Sequence, residues 1–254
     1  MSTAQLGAPD LQIAGLVPLS TVDWPGRLVA TVFCQGCPWA CTYCHNRAIL
    51  DPATPGRVAW SQLDTLLSRR HGLLDAVVFS GGEATSQHAL VPAAARVREV
   101  GYAVGLHTGG AYPSRLRTLL GLDRDGNRVS APLVDWVGFD VKAAPGGYDA
   151  LVRRGGAWRK AEQSLGMLLA SGVDHELRMT VTPALQAQVP QVVRAVARAG
   201  GGALVLQRAR PDGTDADFAA QLGHVTDWVE RFELTARAAL RRGEVEGVLI
   251  TTRA

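Results

Sequence analysis

Long hydrophobic runs are missing from this sequence of 254 residues. No stretch approaches the roughly 20 apolar residues that a membrane-spanning helix needs. The first fourteen residues also lack the basic segment followed by an apolar segment that marks a secretory signal. We therefore expect a cytoplasmic protein that has no membrane partner.

A strong excess of charge is missing as well. The 26 Lys and Arg residues nearly balance the 23 Asp and Glu residues, which leaves a net charge of +3. This charge is too small to indicate a nucleic-acid partner, and we expect none. The apolar fraction of 47% and the charged fraction of 19% are typical of a globular protein, and the length suffices for one large α/β domain.

Cysteine is absent outside one short segment. The four cysteines are Cys34, Cys37, Cys41 and Cys44, and they directly follow the apolar run 28–33. In a reducing compartment, clustered cysteines favour metal binding or redox catalysis over disulfide bonds. The segment is therefore the first candidate for a functional site.

The spacing of the cysteines discriminates between kinds of site. A structural zinc site normally uses two Cys-x2-Cys pairs separated by about a dozen residues or more, whereas three residues separate the pairs here. Disulfide exchange needs only one such pair. Dense thiolates suit an iron–sulfur cluster. The spacing alone leaves three ligand sets open: Cys37 with Cys41 and Cys44, Cys34 with Cys37 and Cys41, or all four in a closed electron-transfer cluster.

Short apolar segments alternate with amphipathic segments along the chain. The predicted strands are 28–33, 76–79, 102–106, 136–139, 177–181, 203–207 and 248–251, and the predicted helices are 61–70, 89–100, 114–120, 157–171, 189–199 and 218–241. Apolar strands separated by helices indicate a parallel sheet that is covered on both faces or closed into a barrel. The sequence therefore predicts an α/β fold.

Polar residues follow the predicted strands at their carboxyl ends. In parallel α/β barrels these positions build the active site. Two glycines would let the backbone approach a ligand closely, and a carboxylate could accept hydrogen bonds from an ammonium group. The candidates are Gly81, Gly82, Glu83, His107, Thr108, Asp140, Lys142, Arg178 and Gln207.

Three of these candidates carry charges whose placement is informative. Asp140 and Lys142 are two residues apart at a strand end and so point in the same direction. Arg178 lies in an apolar strand, where an unpaired charge is costly and a carboxylate is a natural bidentate partner. The competing interpretations are a surface ion pair for Asp140 with Lys142, and a solvated strand edge for Arg178.

The order Cys37-x3-Cys41-x2-Cys44, with Tyr43 before the last cysteine, resembles the radical S-adenosyl-L-methionine (SAM) enzymes. In that superfamily three cysteines hold a [4Fe-4S] cluster, and the amino and carboxylate groups of SAM chelate the fourth iron. The resemblance implies a partial (βα)6 TIM-like barrel with Cys37, Cys41 and Cys44 as metal ligands. Cys34 falls outside the motif, and we expect it to be a small buried residue at the end of a strand.

The same resemblance implies a SAM-binding role for the polar strand ends. The Gly81-Gly82-Glu83 segment corresponds to the one that receives the amino group of SAM, and Arg178 would pair with its carboxylate. Thr108 would contact the ribose or the methionine. Related activating enzymes read Asp-Thr-Asn-Gly where this chain has a histidine at position 107 and glycines at 109 and 110, so no acidic group is expected there. The remaining residues assigned to cofactor binding are Tyr43, Asp140 and Lys142.

Further segments resemble the activating proteins of anaerobic ribonucleoside-triphosphate reductase, which are relatives of the pyruvate formate-lyase activating enzymes. They are 20–26, 35–37, 43–46, 72–75, 79–83, 139–143, 171–174 and 206–207, with Ala84 in place of the usual proline. This similarity covers about residues 14–211. It predicts a single radical SAM domain over 1–254, whose core spans about 14–211 and is followed by a helix and a strand in 212–254.

This closer resemblance implies an oxidoreductase that cleaves SAM reductively at the cluster and generates a glycyl radical on a large partner enzyme. The implied partners are the anaerobic ribonucleotide reductase and an electron donor of the flavodoxin or ferredoxin type. Two other interpretations stay open. One is a radical SAM enzyme that acts on a small molecule. The other is a non-enzymatic iron–sulfur electron carrier that uses all four cysteines.

Overall fold

The computed structural model describes residues 7–223 and 227–253, and its central feature is one eight-stranded sheet. The strands lie side by side in chain order. They are β1 (Ile13–Ser20), β2 (Val29–Cys34), β3 (Ala76–Gly81), β4 (Ala103–Thr108), β5 (Trp136–Asp140), β6 (Asp174–Val181), β7 (Ala203–Arg208) and β8 (Leu249–Arg253).

Helices connect the strands and cover the outer face of the sheet. They are α1 (Trp60–Arg69), α2 (Leu90–Glu99), α3 (Pro113–Leu119), α4 (Pro145–Val152), α5 (Ala157–Ser171), α6 (Val189–Arg198), α7 (Ala216–Gly223) and α8 (Trp228–Glu246). Strands β2 to β8 are parallel, and six helical connections join them. Strand β1 runs antiparallel to β2.

The sheet curves into a partial barrel whose two edges, β1 and β8, do not pair with each other in the described residues. The expected α/β fold of the open-barrel type is thereby confirmed. The predicted parallel strands and main helices agree with the observed ones to within a few residues, apart from an earlier start of β6 and the division of the segment 218–241. That segment belongs to two helices, α7 and α8, and residues 224–226 between them lie outside the described residues.

Two elements were not predicted from the sequence. Strand β1 contains Pro18 and lacks a clean alternation of buried and exposed residues, because it is an edge strand with one free side. Helix α4 begins Pro145-Gly146-Gly147, a composition with little intrinsic helical preference. Both elements form through packing against the rest of the sheet.

Successive residues of a strand point to opposite faces, and this alternation divides the core into two parts. A large apolar cluster lies between the strands and the helices. A small cluster fills the lumen, where the rings of Trp24 and Trp136 stack with centroids 5.3 Å apart beside Val29, Ala76 and Val78. These residues come from the amino-terminal halves of the strands or from the loop before β2. This small cluster therefore fills the lumen near the amino ends of the strands.

The C-terminal segment is part of the same sheet. Strand β8 pairs with β7 from Ala203 with Leu249 to Gln207 with Arg253. Helix α8 buries Trp228 and Phe232 against the core. In the part of the chain that the structure describes, no helix has the length and apolar character needed to cross a bilayer.

Candidate active site

A cavity of about 450 Å³ opens at the carboxyl ends of the parallel strands. Every residue assigned from the sequence to metal or cofactor binding lines it: Cys37, Cys41, Tyr43, Cys44, Gly81, Gly82, Glu83, Thr108, Asp140, Lys142 and Arg178. The cavity therefore brings together residues from the cysteine segment and from four strands or the loops that follow them. The individual ligand roles stay predictions.

The alternation along β2 separates Cys34 from the other cysteines. Phe33 points into the lumen and lines the cavity, so Cys34, the next residue, points to the opposite face. There Cys34 is fully buried in the cluster between strands and helices. Burial raises the pKa of its thiol, and the Glu83 carboxylate raises it further. Cys34 is thus a core residue at the end of a strand.

The loop that carries the other three cysteines has a fixed backbone. Gly36 donates to the carbonyl of Ile49 at 2.8 Å, and Cys37 donates to that of Leu50 at 2.9 Å. The Ala40 amide donates to the Val152 carbonyl at 3.0 Å, which ties the middle of the loop to the end of α4. These bonds close the loop on itself and hold its thiols along one wall of the cavity.

The environment of these thiols disfavours free thiolates in the metal-free protein. Burial and the nearby Glu83 carboxylate raise the pKa of Cys37 to about 12, and burial also raises that of Cys41. The backbone amide of Asn46 donates to the Cys44 sulfur at 3.4 Å. Thiolates at such positions need a cationic partner, and a bound metal supplies it.

The thiols line the cavity without converging on one point. Among the described residues, no three His, Cys, Asp or Glu side chains are arranged to hold a metal ion together. Three soft thiolate donors on one short loop, beside open volume, fit a polynuclear iron–sulfur cluster better than a single ion.

Glu83 is buried, with 3% of its surface exposed, and its carboxylate is occupied by the protein itself. Oε1 accepts hydrogen bonds from the Thr85 amide at 3.1 Å, the Thr85 hydroxyl at 2.6 Å and the Thr108 hydroxyl at 2.7 Å. Oε2 accepts from the Gly109 amide at 3.0 Å. Each carboxylate oxygen offers about two acceptor positions, so Oε1 is saturated, whereas Oε2 keeps one position for a further donor such as an ammonium group. No local sequence pattern indicates these bonds.

The packing of the chain itself requires glycine at positions 81 and 82. Gly81 has φ of 107°, and a Cβ there would lie 2.3 Å from the amide nitrogen of Cys34. A Cβ on Gly82 would lie 2.3 Å from the carbonyl oxygen of Gly36. The Gly82 amide donates to the Cys34 carbonyl, which locks β3 onto the start of the cysteine loop. The two glycines thus allow close approach to the end of β2 and to the cysteine loop, and their contact with a ligand stays a prediction.

Asp140 forms ion pairs with both cations of the site. Its Oδ1 lies 3.0 Å from Nη2 of Arg178, and its Oδ2 lies 3.4 Å from Nζ of Lys142. Burial alone would raise the pKa of Asp140, but the charges of Arg178 and Lys142 outweigh burial and lower it to about 2. The side chain of Arg178 is 9% exposed, so it does not lie at a solvated strand edge. The ion pair of Asp140 with Lys142 forms, with 33% and 17% of the side chains exposed, and it lines the cavity. The group carries one net positive charge into the cavity and favours an anionic ligand.

His107 is a further polar residue of the cavity wall. Its Nε2 lies 2.7 Å from the carbonyl oxygen of Asp23, and its Nδ1 lies 3.1 Å from the hydroxyl of Ser80. The carbonyl can only accept, so Nε2 carries the proton and the Ser80 hydroxyl donates to Nδ1. Burial and the charge of Arg178, whose Nη1 lies 3.3 Å away, lower the pKa of His107 to about 4. The imidazole is therefore neutral near pH 7.

Sequence reasoning missed several residues of the cavity wall, among them Trp39 and Arg210. Trp39 lies between the first and second cysteines of the motif, and Nζ of Lys142 lies 6.0 Å from its ring centroid. Arg210 follows β7 by two residues. The rule that polar groups at strand ends build the site could have found Arg210, whereas an apolar residue in a loop gives no such signal.

Known proteins resemble this chain in sequence and in structure. A protein of Methanocaldococcus jannaschii, named as a candidate glycyl-radical enzyme activating enzyme, is 31% identical over 145 residues, which is 56% of this chain. The match spans about half of that relative, 54% of its length.

Solved structures share the fold at low sequence identity. QueE from Escherichia coli is 13% identical with a TM-score of 0.55, covering 96% of this chain and 94% of its own. A structure of anSMEcpe with bound AdoMet and a peptide is 13% identical with a TM-score of 0.59, covering 86% of this chain and 61% of its own. Finally, residues 31–195, more than half of the sequence, match the family described as the Radical SAM superfamily, and this chain therefore belongs to the radical SAM superfamily.

Proposed function

We propose that this protein is an activating enzyme that cleaves SAM reductively and generates a glycyl radical on a large partner enzyme. The observation that carries the proposal is the shared cavity, in which three thiols face a buried cationic group. Membership of the superfamily implies a [4Fe-4S] cluster and SAM. The 31% identical relative supports the choice of a glycyl-radical enzyme as partner.

Cys37, Cys41 and Cys44 would hold the cluster, since they are the cysteines that line the cavity. Arg178 and Lys142 would attract the carboxylate of SAM, because the Asp140 carboxylate neutralises only one of their two charges. The backbone around Gly81, Gly82 and Glu83, with Thr108 and Tyr43, would complete the binding site. When bound, the cluster supplies one electron for cleavage of SAM and thereby for removal of a hydrogen atom from a glycine Cα.

The protein itself orients the reactants and limits access of water. The stacked tryptophans and their apolar neighbours fill the lumen on the side away from the cavity, so a substrate can enter only at the carboxyl ends of the strands. An unclosed sheet leaves room there for a loop of a large partner. A glycine in that loop has no side chain to prevent close approach to the reaction centre.

Within this class we propose anaerobic ribonucleoside-triphosphate reductase as the partner, and a flavodoxin- or ferredoxin-type protein as the electron donor. The segments around the cysteines and the strand ends support this choice through their resemblance to the activating proteins of that reductase. A small-molecule substrate is the competing possibility within the superfamily.

The decisive experiment is anaerobic incubation of the reconstituted, reduced protein with SAM and the candidate reductase. We expect a glycyl-radical doublet by electron paramagnetic resonance, and we expect its loss when Cys44 is replaced by alanine or when the target glycine of the reductase is replaced. Steady cleavage of SAM without a radical on the reductase would refute the proposed partner. A bound cluster without any cleavage of SAM would instead favour an electron carrier.

A further inference from the structure

Four basic side chains form a surface beside the cysteine loop: Arg115, Arg153, Arg154 and Lys160, called here the basic rim. The ring of Tyr112 lies among them, with Cζ of Arg115 at 5.4 Å and Nζ of Lys160 at 6.0 Å from its centroid. Burial and the Glu83 carboxylate raise the pKa of Tyr112, while the charges of Arg115 and Arg154 oppose this rise. These effects place Arg115, Arg154 and Lys160 around one aromatic ring.

The positive charges of the basic rim are not neutralised. In the described ranges, none of the four forms an ion pair within 4.0 Å of an acidic side chain. Asp149 lies nearby in the sequence, but its oxygens accept hydrogen bonds from the amides of Gly156 at 2.6 Å and Trp158 at 3.0 Å. Its carboxylate is used to shape the turn between α4 and α5. Arg153, Arg154 and Lys160 are exposed and therefore present a local excess of positive charge to solvent, whereas Arg115 is half-buried and donates to the Thr85 carbonyl.

The backbone at Arg153 is held in an unfavourable conformation. Arg153 has φ of 54°, and among the described residues it is the only one other than glycine with positive φ. Glycine is the usual residue at this position after a helix, because a side chain is disfavoured there. The amide of Arg154 donates to the carbonyl of Asp149 at 3.0 Å and fixes the turn. The turn exposes Arg153 and Arg154 next to each other.

The basic rim lies on the outer side of the wall that carries the thiols. The Ala40 amide, inside the cysteine loop, is bonded to the carbonyl of Val152, the residue before Arg153. A column of rings connects the same two places. Trp39 contacts Tyr148 with centroids 5.9 Å apart, and Tyr148 contacts the half-buried Trp158 at 5.5 Å. Packed side chains therefore lead from the rim to the cavity wall, without passing through the cavity mouth.

We propose that the basic rim is the docking surface for a small acidic one-electron carrier protein, which reaches the cluster from outside while the mouth stays free for the large partner. This inference rests on the proposed function, since it presupposes the cluster. Complexes of electron-transfer proteins have small interfaces and depend on electrostatic steering, which suits a few unpaired cations. In the transfer the carrier is oxidised by one electron and the cluster is reduced by one, with no bond or proton exchanged.

The test uses a charge-reversed double variant, Arg154→Glu with Lys160→Glu. The matched control is Arg237→Glu with Arg241→Glu, which changes the charge equally on α8. An acidic [2Fe-2S] ferredoxin and a flavodoxin serve as probes. Two quantities are measured: carrier binding by calorimetry, with and without reconstituted cluster, and the rate of cluster reduction. A neutral photoreduced deazaflavin provides the reference rate.

At low salt, we expect the rim variant to bind the carrier on the order of 10-fold or more weakly than the wild type does. We expect the carrier to reduce its cluster more slowly by a similar factor. Its reduction by deazaflavin and the behaviour of the α8 control should match the wild type. Raising the ionic strength from about 0.02 to 0.3 M should abolish most of the difference, because salt screens exposed charges. Equal effects in rim and control variants, or no faster reduction by either carrier than by deazaflavin, would overturn the proposal.

A second variant separates charge from folding. Arg153→Gly removes one rim charge and places the residue that suits a positive φ. We expect a thermal midpoint at or above that of the wild type, together with weaker carrier binding. Unchanged carrier binding by this variant would contradict the proposal that the basic rim is the docking surface. Loss of radical formation on the reductase with unchanged carrier reduction would assign this surface to the large partner instead. Failure to bind any cluster would refute the proposed function, not the placement of the surface.

Discussion

Cys34 and Cys37 are three residues apart, yet they belong to different environments. The side chain of Cys34 lies between the strands and the helices and does not line the active-site cavity. Cys37 lies beyond the end of β2, where the chain has left the sheet and its side chain lines the cavity. The direction of each side chain therefore decides whether the thiol is available to a metal.

This difference gives a prediction for two matched substitutions. Cys34→Ala should retain the iron and sulfide content of the reconstituted protein, at a cost of about 1 kcal/mol in stability for the lost buried sulfur. Cys37→Ala should lose most of the cluster, and it should change the stability of the metal-free protein less than Cys34→Ala does. Iron and sulfide analysis together with absorbance spectra measures the cluster content of each variant, and urea unfolding measures its stability. Equal loss of iron in both variants would favour ligation by all four cysteines.

Glu83 joins the ends of two strands through donors from Thr85, Thr108 and Gly109. A buried carboxylate that accepts four hydrogen bonds from the protein stabilises the folded state, and it does so without any ligand. Its role can therefore be measured in the metal-free protein.

We predict that Glu83→Gln destabilises the metal-free protein by about 1–3 kcal/mol. The NH2 group of glutamine would take the place of one carboxylate oxygen and would face a hydrogen-bond donor in either orientation. In one orientation this donor is the Gly109 amide, and in the other the donors are groups of Thr85 and Thr108. Thermal and urea unfolding measure the effect. The matched control is Glu99→Gln at the exposed end of α2, which should change stability by less than about 0.5 kcal/mol. A Glu83→Gln variant as stable as this control would show that the carboxylate is free for a ligand.

At the scale of strands, the parallel register aligns the charged residues. Asp140 of β5 pairs in register with Arg178 of β6, and His107 of the adjacent β4 contacts Arg178. The order of charges across the three strands is thus fixed by the pairing of the backbone. A neutral imidazole beside the guanidinium avoids a second buried positive charge next to Arg178.

The lowered pKa of His107 predicts how stability depends on pH. Its folded value of about 4 lies below the ordinary 6.5, so the unfolded chain binds the proton more readily. The stabilisation is therefore complete above about pH 6.5 and decreases as the pH falls towards 4. Asp140, with a pKa of about 2, contributes a separate loss only below its ordinary 3.8.

The measurement is the free energy of unfolding across this pH range. His107→Gln should flatten the decrease between pH 6.5 and 4, since glutamine does not titrate. His88→Gln, at an exposed site, should leave the slope of the wild type unchanged. The same slope in the His107 variant as in the wild type would mean that other groups cause the pH dependence.

Strands and polar strand ends could be predicted because they depend on local patterns. Apolar runs such as 76–79 mark buried strands, and the parallel topology brings their carboxyl ends together. The contacts of Glu83 with Gly109, and of Gly82 with the cysteine loop, join segments distant in sequence, and no local pattern encodes them. For the same reason, the sequence around Gly81 and Gly82 suggested only a ligand as their close neighbour. The structure shows that Cys34 and Gly36 are also close neighbours and leave no room for a Cβ.

At the scale of the whole molecule, the C-terminal segment completes the sheet instead of forming a separate unit. Strand β8 covers the edge of β7, and helix α8 packs on α6 and β8. Burial of Trp228, Phe232 and Ile250 contributes roughly 2 kcal/mol or more for each side chain. The prediction of one domain over 1–254 therefore implies one cooperative unfolding transition.

We predict that the full chain unfolds in a single calorimetric transition and that a chain ending at residue 211 does not fold stably. The lost burial is comparable to the 5–15 kcal/mol that typically separates a folded from an unfolded protein. Scanning calorimetry and circular dichroism measure both outcomes. Leu234→Ala, at a position on α8 with 56% of its surface exposed, should unfold like the wild type. Two separated transitions in the full chain would contradict the single-domain prediction.

The order of the strands in the sheet is also the order in which a ribosome would produce them. Each strand pairs with the strand made just before it, so the sheet can extend by one strand at a time from the growing end of the chain. The three thiols that line the cavity, together with Glu83, Asp140 and Arg178, have all been synthesised by the end of β6 at Val181. Of the cavity wall, only Gln207 and Arg210 come later. The residues that would hold the cluster are thus present in the nascent chain well before the helix and strand that complete the sheet.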